Sequence, residues 1–190
     1  MQIQNLSLTL NRDGRVLLDS LNLTLTADDR LAIIGEEGNG KSTLLRLLAD
    51  ESLVRSYADH TGRIVRGGRV GYLPQELPAD TVTRTVYEWL SDSDAFLAAA
   101  PRELEQLAAA WSLPAGFFYT DQTLGSLSGG ERIRLQLARL RLEQPELLLL
   151  DEPSNDLDIQ GLILLERFIR EAACPVLYIS HDETLIERTA

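Results

Sequence analysis

Leucines alternate with polar residues twice near the start of the chain, at Leu6, Leu8 and Leu10 and again at Leu21, Leu23 and Leu25. A two-residue period puts each trio on one face, so both segments predict half-buried strands. The residues between them, Asn11 to Gly14, predict a turn. LAIIG, from Leu31, loses the alternation and predicts a short strand buried on both faces. Helices are predicted over about 41–50, 81–90, 101–111, 129–143 and 158–172. LLLLD and PVLYIS are unbroken apolar runs and predict two further buried strands. Two β-prone runs flank Gly67-Gly68 and predict a hairpin over 62–73.

Strands alternating with helices imply a mainly parallel sheet with helices on its faces. The stretch from about residue 80 turns rich in Ala, Leu and Glu and predicts a helical subdomain inserted into this α/β frame. At 190 residues the chain suits one domain with a sizeable core. Acidic residues outnumber basic ones, 29 to 18, for a net charge of −11. That balance argues against a generic nucleic-acid binder, which needs clustered Lys and Arg, but leaves room for a local RNA-contacting patch. Cys174 is the single cysteine, so no internal disulfide can form, as suits a reducing, cytoplasmic setting. No apolar run approaches the roughly 20 residues that cross a bilayer.

The candidate chemistry begins with GEEGNGKST, which is Gly35, Glu36, Glu37, Gly38, Asn39, Gly40, Lys41, Ser42 and Thr43. It satisfies G-x-x-x-x-G-K-[ST] between a predicted strand and a predicted helix, the context a phosphate loop requires. Such a loop turns successive backbone N–H groups into one concavity at a helix N-terminus. Lys41 would reach the β- and γ-phosphates of a nucleotide, and Ser42 would ligate Mg²⁺. Glu36 and Glu37 carry the same sign of charge as phosphate. At the crown of the loop their side chains are expected to point outward, where solvent screens them.

LLLLDEP delivers Asp151 to the end of an apolar strand, where it suits a Mg²⁺-binding carboxylate, and Glu152 suits the general base for an attacking water. In LSGGE, Ser128 and Glu131 form an S-x-x-E capping box. Gly129 and Gly130 are costly in a first helical turn unless a backbone must lie against a ligand. Gln75 follows a strand and a proline, and His181 follows the last strand. Taken singly, each reads more readily as a polar loop residue than as a catalytic group.

In this order the pieces resemble the nucleotide-binding domain of the ABC ATPase superfamily, over nearly the whole chain. GEEGNGKS matches the Walker A motif, Gln75 the Q-loop and LSGGE the signature. LLLLDE matches Walker B, SNDLD the D-loop and His181 the switch histidine. The resemblance implies an ABC-type P-loop core, an antiparallel β subdomain and a helical subdomain at about 80–140. It implies ATP and Mg²⁺ as cofactors, with Ser42, Gln75 and Asp151 as metal ligands and Glu152, His181 and Gln75 as catalytic residues. It also implies a head-to-tail pair of domains, in which Ser128, Gly129 and Gly130 of one domain face the ATP held by the other's Walker A. Family members often stack adenine on an aromatic near the position of Leu10 and Asn11, and neither residue is aromatic. They often have Asn where Glu37 stands, and they continue beyond a point such as Ala190, so a longer protein is expected.

The stretch DQTLGSLSGGERIRLQLARL and the run DEPSNDLD are most similar to the ABC-F group, although Asp156 stands where that group frequently has His. That branch implies two such domains in one chain and work on the ribosome. The other reading is an ATPase subunit energising a transmembrane transporter partner.

Overall fold

The computed structural model describes residues 1–190. Two sheets organise it. β1 (Gln2–Leu10), β2 (Val16–Thr24) and β4 (Ala58–Val65) form an antiparallel sheet in the order β2-β1-β4. β3 (Arg30–Ile33), β5 (Val70–Leu73), β6 (Leu147–Asp151) and β7 (Val176–Ile179) form a parallel sheet in the order β3-β7-β6-β5. Leu6 and Leu8 are fully buried, and Leu10, Leu21 and Leu23 pack beside them, as the two-residue period predicts.

β6 shows why an apolar run loses its alternation. Leu148 and Leu150 face a core shared with the long helices, while Leu147 and Leu149 face a second core shared with α1 (Lys41–Ala49) and the antiparallel sheet. Both faces are dry, so every position is apolar. The same inference fails for LAIIG. β3 lies at the edge of the sheet, Leu31 is 37% exposed, and Ile34 falls outside the strand at 70% exposed. A short apolar run predicts a strand without fixing its place in the sheet.

The expected hairpin over 62–73 does not form. β4 pairs with β1, and β5 pairs in parallel with β6, so Gly67-Gly68 carries the chain from one sheet to the other. Leu147 to Leu150 offer β5 a partner buried on both faces, which a local hairpin with β4 could not supply.

Between β5 and α5 (Gly129–Glu143) lie α2 (Val86–Leu90), α3 (Asp94–Ala98) and α4 (Pro101–Ala110). α2 is shorter than the predicted 81–90, because Thr85 and Glu88 close a capping box that starts it late. α4 opens on Pro101 as predicted. α3 gave no periodic signal in five residues. Phe96, on α3, packs edge-on against Tyr87 and Phe118, tying this region together. α6 (Ile159–Arg170) follows β6, capped by Asp158, and α7 (Glu183–Thr189) follows β7.

Arg30 joins the parallel sheet to the end of α6. Its guanidinium donates to the carbonyls of Ile169 (2.7 Å), Cys174 (3.2 Å) and Ala172. A cation satisfying several otherwise free carbonyls at a helix C-terminus is worth more than an exposed ion pair. Arg30→Ala is expected to lower unfolding free energy by about 2–3 kcal/mol, read from urea denaturation. A loss below about 0.5 kcal/mol, the range of ordinary surface changes, would show that water replaces the guanidinium.

Candidate functional site

The C-terminal ends of the parallel strands and the loop before α1 enclose a cleft of about 500 Å³. Its walls include Glu37, Gly38, Gly40, Lys41, Ser42 and Thr43 from the glycine-rich loop, with Gln75, Glu152 and His181 opposite. Parallel topology brings these distant segments together, because β5, β6 and β7 point the same way and release their loops at one end. A larger hollow of about 670 Å³ opens at the other end of these strands, lined in part by Arg66, Leu148 and Cys174. It holds none of the candidate residues.

Gly40 shapes the loop. Its φ of 83° is left-handed, and a Cβ there would lie 2.8 Å from Leu17 Cδ1. Glycine meets both demands. Gly35 and Gly38 also have positive φ, and Asn39 accepts a hydrogen bond from Arg15 Nη2 at 3.3 Å. Lys41 Nζ donates to the carbonyls of Gly35 (2.6 Å) and Glu36 (2.8 Å), so in this state the lysine braces its own loop. Glu36 and Glu37 are both exposed, as expected for crown positions. Glu37 nevertheless borders the cleft, whereas Glu36 does not.

Ser42 donates to Asp151 Oδ1 at 2.9 Å, joining the start of α1 to the end of β6. Asp151 is fully buried, and its Oδ2 has no hydrogen-bond partner. Burial pushes its carboxyl up from the ordinary value, against the pull of the Ser42 hydroxyl and the Arg46 charge. Tyr72 is pushed up to about 12, first by burial and then by the Asp151 charge, so it stays a neutral phenol. A buried carboxylate oxygen without a hydrogen bond is what a hard cation would satisfy, and with the hydroxyl beside it, it would supply two oxygens of a Mg²⁺ set. These residues therefore fit the magnesium ion implied by the sequence. No three His, Cys, Asp or Glu side chains gather to hold a metal, so a Mg²⁺ ion here would draw further ligands from phosphate and water.

Glu152 is 9% exposed and takes φ of 51°, left-handed for a residue with a Cβ. Such a conformation costs on the order of 1–3 kcal/mol and persists only where the surroundings impose it. Here its N–H donates to Ile179 O at 3.0 Å, and its Oε1 lies 3.2 Å from His181 Nε2. The carboxylate thus borders the cleft on one side and the histidine on the other.

Ser128, Gly129 and Gly130 are not part of the cleft wall. Ser128 and Glu131 form the full capping box at the start of α5, with Glu131 Oε2 accepting from Ser128 N at 2.9 Å. A Cβ on Gly129 would lie 2.5 Å from the Cβ of Asp156, so the D-loop and the signature helix touch through a glycine. Arg134 and Asp158 form an ion pair across the same contact. No sequence pattern marked this packing, nor Leu17 and Ile179 as part of the apolar wall of the cleft beside Leu10. No aromatic residue lines it, in keeping with Leu10 at the place of the family's stacking residue. These contacts cross between segments that no single-sequence pattern links.

A glycine-rich phosphate loop before a helix, with an acidic strand end and a buried glutamate across the cleft, defines a P-loop ATPase. The chain belongs to the ABC transporter family, whose pattern matches residues 18–155. It is similar to the zinc import ATP-binding protein ZnuC of Vibrio cholerae, 36% identical over 92% of this chain and 65% of that protein. It is also similar to the tylosin resistance ATP-binding protein TlrC of Streptomyces fradiae, 37% identical over 95% of this chain and 39% of the relative. The energy-dependent translational throttle protein EttA of Haemophilus influenzae is 32% identical over 96% of this chain and 40% of its own. The chain therefore spans less than two thirds of each of these relatives. Among solved structures, an archaeal ribosome recycling factor in complex with a ribosomal stalk protein matches with a TM-score of 0.74 at 27% identity, over all of this chain and 36% of its own. A bacterial Atm1-family ABC exporter with ATP bound matches at 0.73 and 27%, over 97% of this chain and 35% of its own. The protein is an ATPase domain of this family. No helix is long and apolar enough to cross a membrane.

Proposed function

We propose that this domain, residues 1–190, hydrolyses ATP as one member of a head-to-tail pair, in an ABC-F-type protein that acts on the ribosome. The observation that carries the pairing is the separation of the two phosphate-binding motifs. The glycine-rich loop lines the cleft, whereas Ser128 to Gly130 stand outside it, capping α5 with an outward N-terminus. A second domain is required to bring such a terminus to the nucleotide, and it presents its own Ser128-type residues in return.

In the proposed reaction ATP enters the cleft and Lys41 exchanges the carbonyls of Gly35 and Glu36 for the β- and γ-phosphates. Exchange of this kind replaces neutral acceptors by charged ones and favours the bound state. Ser42, Asp151 and Gln75 would hold Mg²⁺, which would supply positive charge to neutralise the phosphate oxygens. Glu152 accepts a proton from the water aligned behind the γ-phosphate. His181, beside it, contacts the γ-phosphate and keeps the carboxylate oriented.

The ABC-F reading is supported by the D-loop run Ser154 to Asp158 and by the similarity to a translational throttle protein and a ribosome recycling factor. The transporter reading is supported by the zinc import ATPases, of which this chain covers the larger share. One experiment separates them. The intact protein carrying Glu152→Gln, held in ATP, is expected to cosediment with ribosomes. Recovery with a membrane-spanning partner, and none with ribosomes, would establish the transporter role.

A further inference from the structure

Two serines given no chemical role so far flank the Glu152–His181 pair in the chain, Ser154 at the start of the D-loop run and Ser180 just before the histidine. Ser154 Oγ and Ser180 Oγ are 3.0 Å apart, joining the loop that leaves β6 to the loop that leaves β7. Ser180 is 1% exposed. Its oxygen also accepts the Asp182 N–H at 3.0 Å, which leaves its own proton free for Ser154. Glu152 stands two residues before Ser154, and His181 one residue after Ser180. The hydroxyl pair therefore closes a small ring of structure: Glu152 N–H to Ile179 O on one side, Glu152 to His181 on another, Ser154 to Ser180 on the third.

We propose that Ser154 and Ser180 are positioning residues for hydrolysis, clipping the two loops together so that Glu152 stays in its left-handed backbone conformation with His181 across its carboxylate. The inference rests on the reading of Glu152 as the base. Glu152 cannot hold a left-handed conformation through its own side chain. Its neighbours must impose it, and Asn155 N–H to Glu152 O at 3.2 Å is the only other backbone bond in that turn to reach the residue. A hydroxyl pair with one buried partner is suited to the task. Its bond is directional, and losing the Ser154 hydroxyl leaves the buried Ser180 hydroxyl without its partner. The clip touches neither the phosphate loop nor the wall that would receive the base, so it can act on turnover without acting on binding.

The test is made in the intact, paired protein with Ser154→Ala, Ser180→Ala, the double variant and Ser180→Thr. Ser154 is partly exposed, which makes Ser154→Ala the safer variant for folding. Expected is a drop in kcat of about tenfold or more for each alanine variant, with the KM for ATP and the affinity for a fluorescent ATP analogue within about twofold. The double variant falls no further than the worse single, because either change opens the same link. Ser180→Thr, which keeps the hydroxyl, restores most of the turnover. Unchanged kcat, a parallel loss of ATP affinity, or additive effects of the two alanines would each overturn the clip. Glu152→Gln is measured alongside. If that variant still turns over, the role of Glu152 fails first; if it stalls while the serine variants run normally, the clip alone fails.

Discussion

Glu152→Gln is expected to bind ATP as the parent does and to release phosphate roughly 10²–10⁴ times more slowly, the usual contribution of a general base. Glutamine keeps the shape of the side chain and one carbonyl acceptor but cannot take a proton at neutral pH. The site favours a clean result. The residue is 9% exposed, its backbone is held by Ile179 O, and its carboxylate contributes nothing to the phosphate loop. Glutamine can also keep the 3.2 Å approach to His181, whose side chain is half-exposed, so little stability is at stake there. Single-turnover phosphate release, paired with equilibrium binding of a fluorescent ATP analogue, reads both quantities. Turnover within about threefold of the parent would remove Glu152 from the role of base. In the paired protein the stalled variant should also accumulate the closed form, visible as an ATP-dependent compaction that reverses when nucleotide is removed.

Lys41→Ala should weaken ATP binding about a hundredfold. Two charge-assisted contacts to phosphate are worth on the order of 3 kcal/mol together after desolvation. Without nucleotide the same change should scarcely alter stability. Lys41 then only braces the carbonyls of Gly35 and Glu36, and the Glu36 end of that brace is exposed. The contrast is measurable in one assay. The parent should gain thermal stability with rising ATP as RT ln(1 + [L]/Kd) requires, and the variant should show that gain only at about a hundredfold higher nucleotide. An ATP-induced stabilisation equal to the parent's would mean that backbone N–H groups hold the phosphates unaided. A large loss of stability without nucleotide would instead make Lys41 a structural brace.

The two acids of the phosphate loop and its lysine differ in where their side chains lie. Glu36 is not part of the cleft wall and Glu37 lies at its border, both exposed. Charge at such positions is screened, whereas Lys41 Nζ approaches its acceptors within 2.8 Å.

What could be read from the sequence was whatever depends on neighbours along the chain. The leucine periods of β1 and β2, the helix after Gly40, the capping box at Ser128 and the proline start of α4 each rest on contacts within a few residues. The phosphate loop was legible for the same reason, since its anion-binding geometry is a property of nine consecutive residues. Local pattern failed where partners were chosen at a distance. The glycine pair Gly67-Gly68 predicted a hairpin, but β5 found a better-buried partner in β6. LAIIG predicted a central strand, but the sheet order placed β3 at an edge.

Only the tertiary structure decided how the motifs meet. Three loops released at one end of a parallel sheet converge on the phosphate loop and bring Gln75, Glu152 and His181 to one cleft. Packing at a distance set the left-handed backbone of Glu152, the Ser154–Ser180 bond and the contact of Asp156 with Gly129. The sequence determined which chemical groups the chain carries and which local turns present them. The fold determined their separations, because a hydrogen bond at 3 Å between residues dozens of positions apart has no trace in any periodic pattern.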